Sequence, residues 1–230
     1  MPRPLLIFDF DGTVALGDGP VRAYARAVAA EAGLPPSFVD EIVGGLAAAE
    51  NVDAGSSEVV PSESAIDAYD LVRVRATAAG AGADHLARGY AASRARLASS
   101  DAPILAPAGL AAFLADVDAE RVLVTNAPGV RIPEALAVLG LDGLFDRVVV
   151  DAGKPDGLAA VLDALDDDTP VLAIGDIWRN DLAPAHARGH ATALVGGYPD
   201  AAATPDFHAR TLAELLPALT DWVHAHARTR

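Results

Sequence analysis

Apolar residues along this chain fall into two kinds of segment. Five segments are short and nearly continuous: Pro4–Phe8 (PLLIF), Arg121–Thr125 (RVLVT), Arg147–Val150 (RVVV), Val171–Ile174 (VLAI) and Ala191–Val195 (ATALV). Each is followed at once by Gly, Asp or Asn. Runs of that length with such punctuation predict buried strands. Between them the apolar positions recur at helical spacing over Ala108–Val117, Val130–Leu139, Gly157–Leu165, Leu182–Arg188 and Leu212–Ala225. Near-continuous apolar strands alternating with helices predict an α/β fold: a doubly wound, Rossmann-like parallel sheet covered on both faces.

The alternation breaks after the first strand. From about residue 16 to residue 100 no run reads as a strand, and four helical patterns take over: Val21–Ala32, Ser37–Glu50, Ser62–Ala79 and Asp84–Ala98. Gly-, Pro- and Ser-rich breaks (GLPPS, DAGSSEVVPS, AGAGAD) separate them. The division expected is an α/β core of residues 1–15 and 101–230 interrupted by a helical module of residues 16–100.

Composition narrows the function. The 230 residues carry a formal net charge of -15 and no cysteine. A chain of this size buries roughly 70% of its unfolded surface and needs no disulfide or structural metal to hold a core. Thiolate chemistry is excluded, and a polyanionic partner meets a repulsive field, so neither nucleic acid nor an anionic membrane is an expected partner. The opening MPRPLLIFDF has no signal-like apolar stretch with a small-residue cleavage site. No run approaches the ~20 apolar residues of a membrane span, so the expected location is the cytoplasm.

The unusual polar residues follow the strands. The first is succeeded by DFDGT (Asp9–Thr13), the second closes on Thr125-Asn126, GKPDG (Gly153–Gly157) lies just beyond the third, and GDIWRND (Gly175–Asp181) follows the fourth. Alone, each reads as a turn or a helix cap. Together they place four polar patches at the carboxyl edge of one sheet, where parallel α/β proteins bind ligands. Lys154 stands out further: Lys and Arg total 17, and it is the single lysine among them.

Residue types then suggest the chemistry. Asp9, Asp11, Asp176 and Asp181 bring up to four carboxyl groups together, which cannot all stay ionised without a compensating cation. An all-oxygen donor set suits a hard ion, and Mg²⁺ is usual where a substrate brings phosphate. One carboxylate is then available as nucleophile and another as general acid and base. Thr125 and Lys154 can hold the oxygens of a transferring phosphoryl group.

These motifs, in this order, resemble the haloacid dehalogenase (HAD) superfamily, in its Mg²⁺-dependent, phosphoglycolate phosphatase-like branch. The resemblance rests on Asp9-Phe10-Asp11-Gly12-Thr13, on Thr125, on Lys154-Pro155, and on Gly175-Asp176 with Asn180-Asp181. It implies that Asp9 attacks phosphorus to give an aspartyl-phosphate, while Asp11 protonates the leaving alkoxide and later activates water. It implies phosphoryl binding by Thr125, Asn126 and Lys154, and Mg²⁺ held by Asp9, the Asp11 main-chain carbonyl, Asp176 and Asp181. Dehalogenases of the family lack an acid at the Asp11 position, so its presence here favours phosphate esters. A helical cap placed after the first motif implies a small phosphorylated metabolite as substrate. The turn VALGDGP and the pair Ile177-Trp178 depart from the common family pattern, and packing is the expected role of the pair.

Two other functions share parts of this set. A phosphosugar mutase of the same fold uses the same aspartyl-phosphate but returns the group to a sugar. A signalling receiver domain also combines clustered acids with Thr and Lys on a parallel sheet, but its phospho-accepting Asp follows a later strand. In the helical module, Arg22, Arg26, Arg73, Arg75, Arg88, Arg94 and Arg96 are candidates to reach an anionic substrate. Most of them are expected to be solvated helix faces, and all six histidines are expected to serve surface roles. Oligomeric state and the particular substrate are not encoded in these patterns.

Overall fold

The computed structural model describes residues 3–50, 65–166, 168–196 and 200–227. The chain divides into two compact units, one of Met1–Leu16 with Leu105–Arg230 and one of Gly17–Ile104. In the first, the strands are β1 (Leu5–Phe8), β2 (Glu120–Val124), β3 (Arg147–Val149), β4 (Val171–Gly175), β5 (Ala191–Val195) and β6 (Phe207–Ala209). They form a parallel sheet in the order β3-β2-β1-β4-β5-β6.

Burial follows position in that order. β1 and β4 are buried at every residue, whereas β3 at the edge is mostly exposed. On one face Leu5, Ile7, Val122, Val124, Val171 and Ala173 pack with Leu158, Leu162, Leu182 and Ala185. The alternate residues Leu6, Phe8, Leu123, Leu172 and Ile174 are buried as well, so both faces are covered. The pairing sets Leu5 opposite both Glu120 and Val171, and this register brings the ends of β1, β2 and β4 to one edge.

The helices of this unit are α5 (Leu110–Asp116), α6 (Ile132–Val138), α7 (Asp156–Asp163), α8 (Ala183–His186) and α9 (Leu212–His226). The helical pattern of Leu182–Arg188 resolves differently from expectation. A π-helical turn over Trp178–Leu182 precedes α8, closed by the Ala183 N–H on the Trp178 carbonyl. Pro184 has no N–H to give the preceding turn, which prevents one regular helix through this segment. β6 is also an addition; its three residues, FHA, contain no apolar run to announce a strand. It is held by Asp206, whose carboxylate accepts from both the N–H and the hydroxyl of Thr192 on β5.

The second unit contains α1 (Gly19–Ala32), α2 (Pro36–Glu50), α3 (Ala68–Ala78) and α4 (Ala83–Arg94). Its core joins Val21, Ala25, Val28, Phe38, Ile42, Val72 and Ala76. Tyr24, Tyr69 and Tyr90 pack against one another with ring centroids 5.7–6.0 Å apart. Asp67 caps α3 by accepting from the Asp70 N–H at 2.6 Å. The break DAGSSEVVPS and the first residues of the Ser62–Ala79 pattern lie outside the described residues. Among the described residues no helix is long and apolar enough to cross a membrane.

Candidate active site

From β1 the chain winds outward to β2 and β3 on one side of the sheet, then crosses from β3 back past β1 to β4 and on to β5 and β6 on the other. The carboxyl ends of β1 and β4 therefore flank the point where the winding reverses, the usual crevice for a ligand in such sheets. Asp9 follows β1 directly and Asp176 follows β4 directly. The order also differs from the 2-1-3-4-5 arrangement of receiver domains, which removes that fold as a description of this sheet.

Lys154 reaches this point from beyond β3. Its Nζ donates to Asp9 Oδ1 at 2.5 Å and to Asp181 Oδ1 at 2.6 Å. Ile7, Val124, Leu158 and Ile174 wall the three charged groups with apolar surface. Lys154 is 9% exposed and Asp181 4%. Burial opposes the ammonium, but Asp9 and Asp181 overcome it and hold Lys154 protonated well above its usual range. Burial also pushes Asp9 up to about 7, with Lys154 pulling the other way and Asp181 and Asp11 adding repulsion.

Oxygen atoms of Asp9, Asp176 and Asp181 lie within 4.8 Å of one another. Three carboxylates facing one ammonium leave an excess of negative charge that a hard divalent cation would offset. Two glycines make room for this group. Gly12 has φ +84°, and a Cβ there would overlap the Asp176 carboxylate. A Cβ on Gly175 would overlap the Asp181 side chain. Asp181 is also fixed from its other oxygen, which accepts from the Ile177 N–H at 3.0 Å.

Four acids were candidates for convergence; three converge through their side chains. Among the described residues the Asp11 carboxylate is not part of the group. The chain turns sharply at this point, with the Val14 and Ala15 N–H groups both on the Phe10 carbonyl and Phe10 fully buried. Asp11 is half-buried, and close enough for its charge to raise Asp9.

Thr125 is 2% exposed, and its Oγ1 accepts from the Ala127 N–H at 3.0 Å. Asn126 has a task that residue type did not suggest. Its Oδ1 accepts from the Lys154 N–H at 2.6 Å, and its Nδ2 donates to the Lys154 carbonyl at 3.3 Å. Spacing offers no signal for this contact, because 28 residues separate the two.

Trp178 packs in the core with Leu182 and Ala185, and its ring lies 5.2 Å from that of His186. Arg94 departs from the solvated-face expectation. It is 1% exposed, with Nη1 donating to the Tyr69 hydroxyl at 3.4 Å. Arg22, Arg73 and Arg88 pair with Asp18, Asp70 and Glu31 on the helical surface.

No family model and no curated protein sequence matches this chain. Solved structures do. A haloacid dehalogenase-like hydrolase from Xanthomonas campestris is 21% identical with a TM-score of 0.56, over 97% of this chain and 92% of that one. A Bacillus subtilis protein, YfnB, assigned as a HAD hydrolase and solved bound to magnesium, is 20% identical with a TM-score of 0.60, over 95% and 99%. A HAD phosphatase from Thermococcus onnurineus is 16% identical with a TM-score of 0.51, over 94% and 97%. At these identities what is shared is the fold: this chain has the architecture of HAD-like hydrolases.

Proposed function

We propose that this protein is a HAD-type phosphatase that hydrolyses a small soluble phosphomonoester with Mg²⁺ through an aspartyl-phosphate on Asp9. The observation that carries the reading is the buried Asp9–Lys154–Asp181 bridge, with Asp176 beside it, at the winding reversal of a HAD-like sheet. A structural role alone would not require an ammonium and three acids, drawn from three strand ends, to be desolvated together.

Asp9, Asp176 and Asp181, with the Asp11 main-chain carbonyl, would hold the Mg²⁺. When bound, the ion offsets charge on the carboxylates and on the phosphoryl oxygens. An Asp9 carboxylate oxygen forms a bond to phosphorus as the ester P–O bond breaks, and Asp11 gives its proton to the departing alkoxide. Water then attacks the phosphorus, Asp11 takes its proton, and the acyl-phosphate P–O bond breaks to release phosphate and restore Asp9. Lys154 and Thr125 stabilise the phosphoryl oxygens as charge redistributes. Lys154 also works against the burial that raises Asp9, favouring the ionised nucleophile.

The reading is tested by Mg²⁺-dependent release of phosphate from an aryl phosphate. Asp9→Asn is expected to lose roughly four orders of magnitude or more, the scale on which removing a nucleophile acts. Equal rates for the two proteins would overturn it. With phosphorylated sugars, free phosphate is the expected product; an isomerised sugar phosphate without free phosphate would identify a mutase instead.

A further inference from the structure

We infer that Asn126 is a positioning residue that acts through Lys154 rather than as a direct ligand of the phosphoryl group. The β2 and β3 chains are already tied together beyond the sheet. The Thr125 N–H donates to the Val149 carbonyl at 2.9 Å, Ala152 N–H to Thr125 O at 3.0 Å, and Asp151 N–H to Ala127 O at 2.9 Å. The Asn126 carboxamide then meets the main chain of Lys154 with one acceptor and one donor, at 2.6 and 3.3 Å. A carboxamide carries the same donor and acceptor pair as a peptide group. Asn126 thus extends the ladder by one rung, at the residue whose side chain must span to Asp9 and Asp181.

The consequence is geometric. Lys154 has a flexible four-carbon stem, and its ammonium makes two short contacts at once. A fixed backbone favours both contacts at once, because a displaced Cα has to be compensated by less favourable rotamers of the stem. With Oδ1 and one of the two Nδ2 hydrogens engaged by the Lys154 main chain, the Asn126 side chain is oriented toward placing the cation. The catalytic meaning of this role rests on the phosphatase reading; the placement itself does not.

The single lysine makes the test specific. Protein grown with ¹⁵N,¹³C-lysine has one labelled residue, so its backbone amide and its side-chain signals all report Lys154. In Asn126→Ala the amide is expected to exchange with solvent roughly fivefold faster or more, from the loss of one hydrogen bond. The side-chain signals are expected to move toward those of a free lysine. Asn126→Asp keeps the Oδ1 acceptor and should keep the amide protected. Should Asn126→Ala not fold, Asn126→Ser, too short to reach both groups, carries the same expectation. Unchanged amide and side-chain signals in the folded variant would overturn the inference.

Kinetics give the second arm. kcat toward an aryl phosphate should fall by roughly 10–100-fold in Asn126→Ala, as for other residues that orient a reacting group, with a smaller change in KM. In a Lys154→Met background the same substitution should cost nothing more; additive losses would instead make Asn126 a direct ligand and overturn the role. If the wild type shows no turnover, the phosphatase reading fails, and the labelled-lysine signals still decide the placement.

Discussion

The α/β unit and the helical unit both carry many charges, yet the Lys154 group of the first and three ion pairs of the second are held in opposite ways. In the helical unit three ion pairs are local or solvated: Arg73 with Asp70 and Arg22 with Asp18 lie within one helical turn, and Arg88 meets Glu31 with both side chains at least 37% exposed. In the α/β unit Lys154 crosses 145 residues to Asp9 and 27 to Asp181, and all three side chains are no more than 10% exposed. Exposed pairs form because they cost almost nothing. A buried, sequence-distant pair carries a desolvation penalty that only close, well-formed contacts can offset. Where a fold retains such a group at the end of its central strands, chemistry is the economical explanation.

The largest effect that would sharpen this contrast is removal of the buried cation. Lys154→Met leaves Asp9 and Asp181 facing each other in an apolar surround. Denaturant unfolding in metal-free buffer should show a loss of about 3–5 kcal/mol, typical of a broken buried pair. A loss no greater than that of a surface pair would contradict the account. Lys154→Arg keeps the charge, but a planar guanidinium does not fit where a compact ammonium bridges two carboxylates. It is expected to fold with near-wild-type stability relative to the Met variant and to lose turnover.

Gly12→Ala comes next. The positive φ costs about 1–2 kcal/mol for a residue with a Cβ, and the added methyl overlaps the Asp176 carboxylate. Thermal melts should show the loss, and Mg²⁺ should raise the melting temperature of the variant less than that of the wild type. An identical metal-induced shift would separate Gly12 from the acidic group.

A smaller effect comes from a structural pair in the same unit. Arg121 donates through Nε and Nη2 to the two oxygens of Asp146 at 2.9 and 2.8 Å. These hydrogen bonds hold the Asp146 carboxyl down at about 2, below its usual 3.8. Its contribution is therefore complete above the ordinary carboxyl range and is lost as pH falls through about 2. With Asp146 partly exposed, the contribution is under about 1 kcal/mol after solvent screening. Asp146→Asn should lower stability near neutral pH and flatten the acid limb of the stability curve; an unchanged limb would remove the pair from that role. The smallest effect is Arg73→Ala in the helical unit, which should leave the denaturation midpoint nearly unchanged, because the Arg73 side chain is more than half exposed.

Much of the α/β unit is legible in the sequence because burial on both faces writes β1, β2, β4 and β5 as apolar runs. The candidate site is legible for a related reason: Asp9 and Asp176 directly follow β1 and β4, so a strand end locates them. What is hidden depends on contacts between distant residues. A three-residue edge strand such as β6 has no periodicity to read. The Asn126 carboxamide can face a ligand or a neighbouring main chain, and residue type does not choose between them. Arg94 has the same helical spacing as its solvated neighbours, and only packing in the helical unit makes it buried.

The central claim is that Asp9 is the residue that takes the phosphoryl group. Rapid acid quench of the enzyme during turnover of an aryl phosphate with Mg²⁺, followed by mass spectrometry of its peptides, tests it most directly. A phosphoryl adduct is expected on the peptide containing Asp9, absent from Asp9→Asn. An adduct on a different residue, or turnover by Asp9→Asn at the wild-type rate, would contradict it.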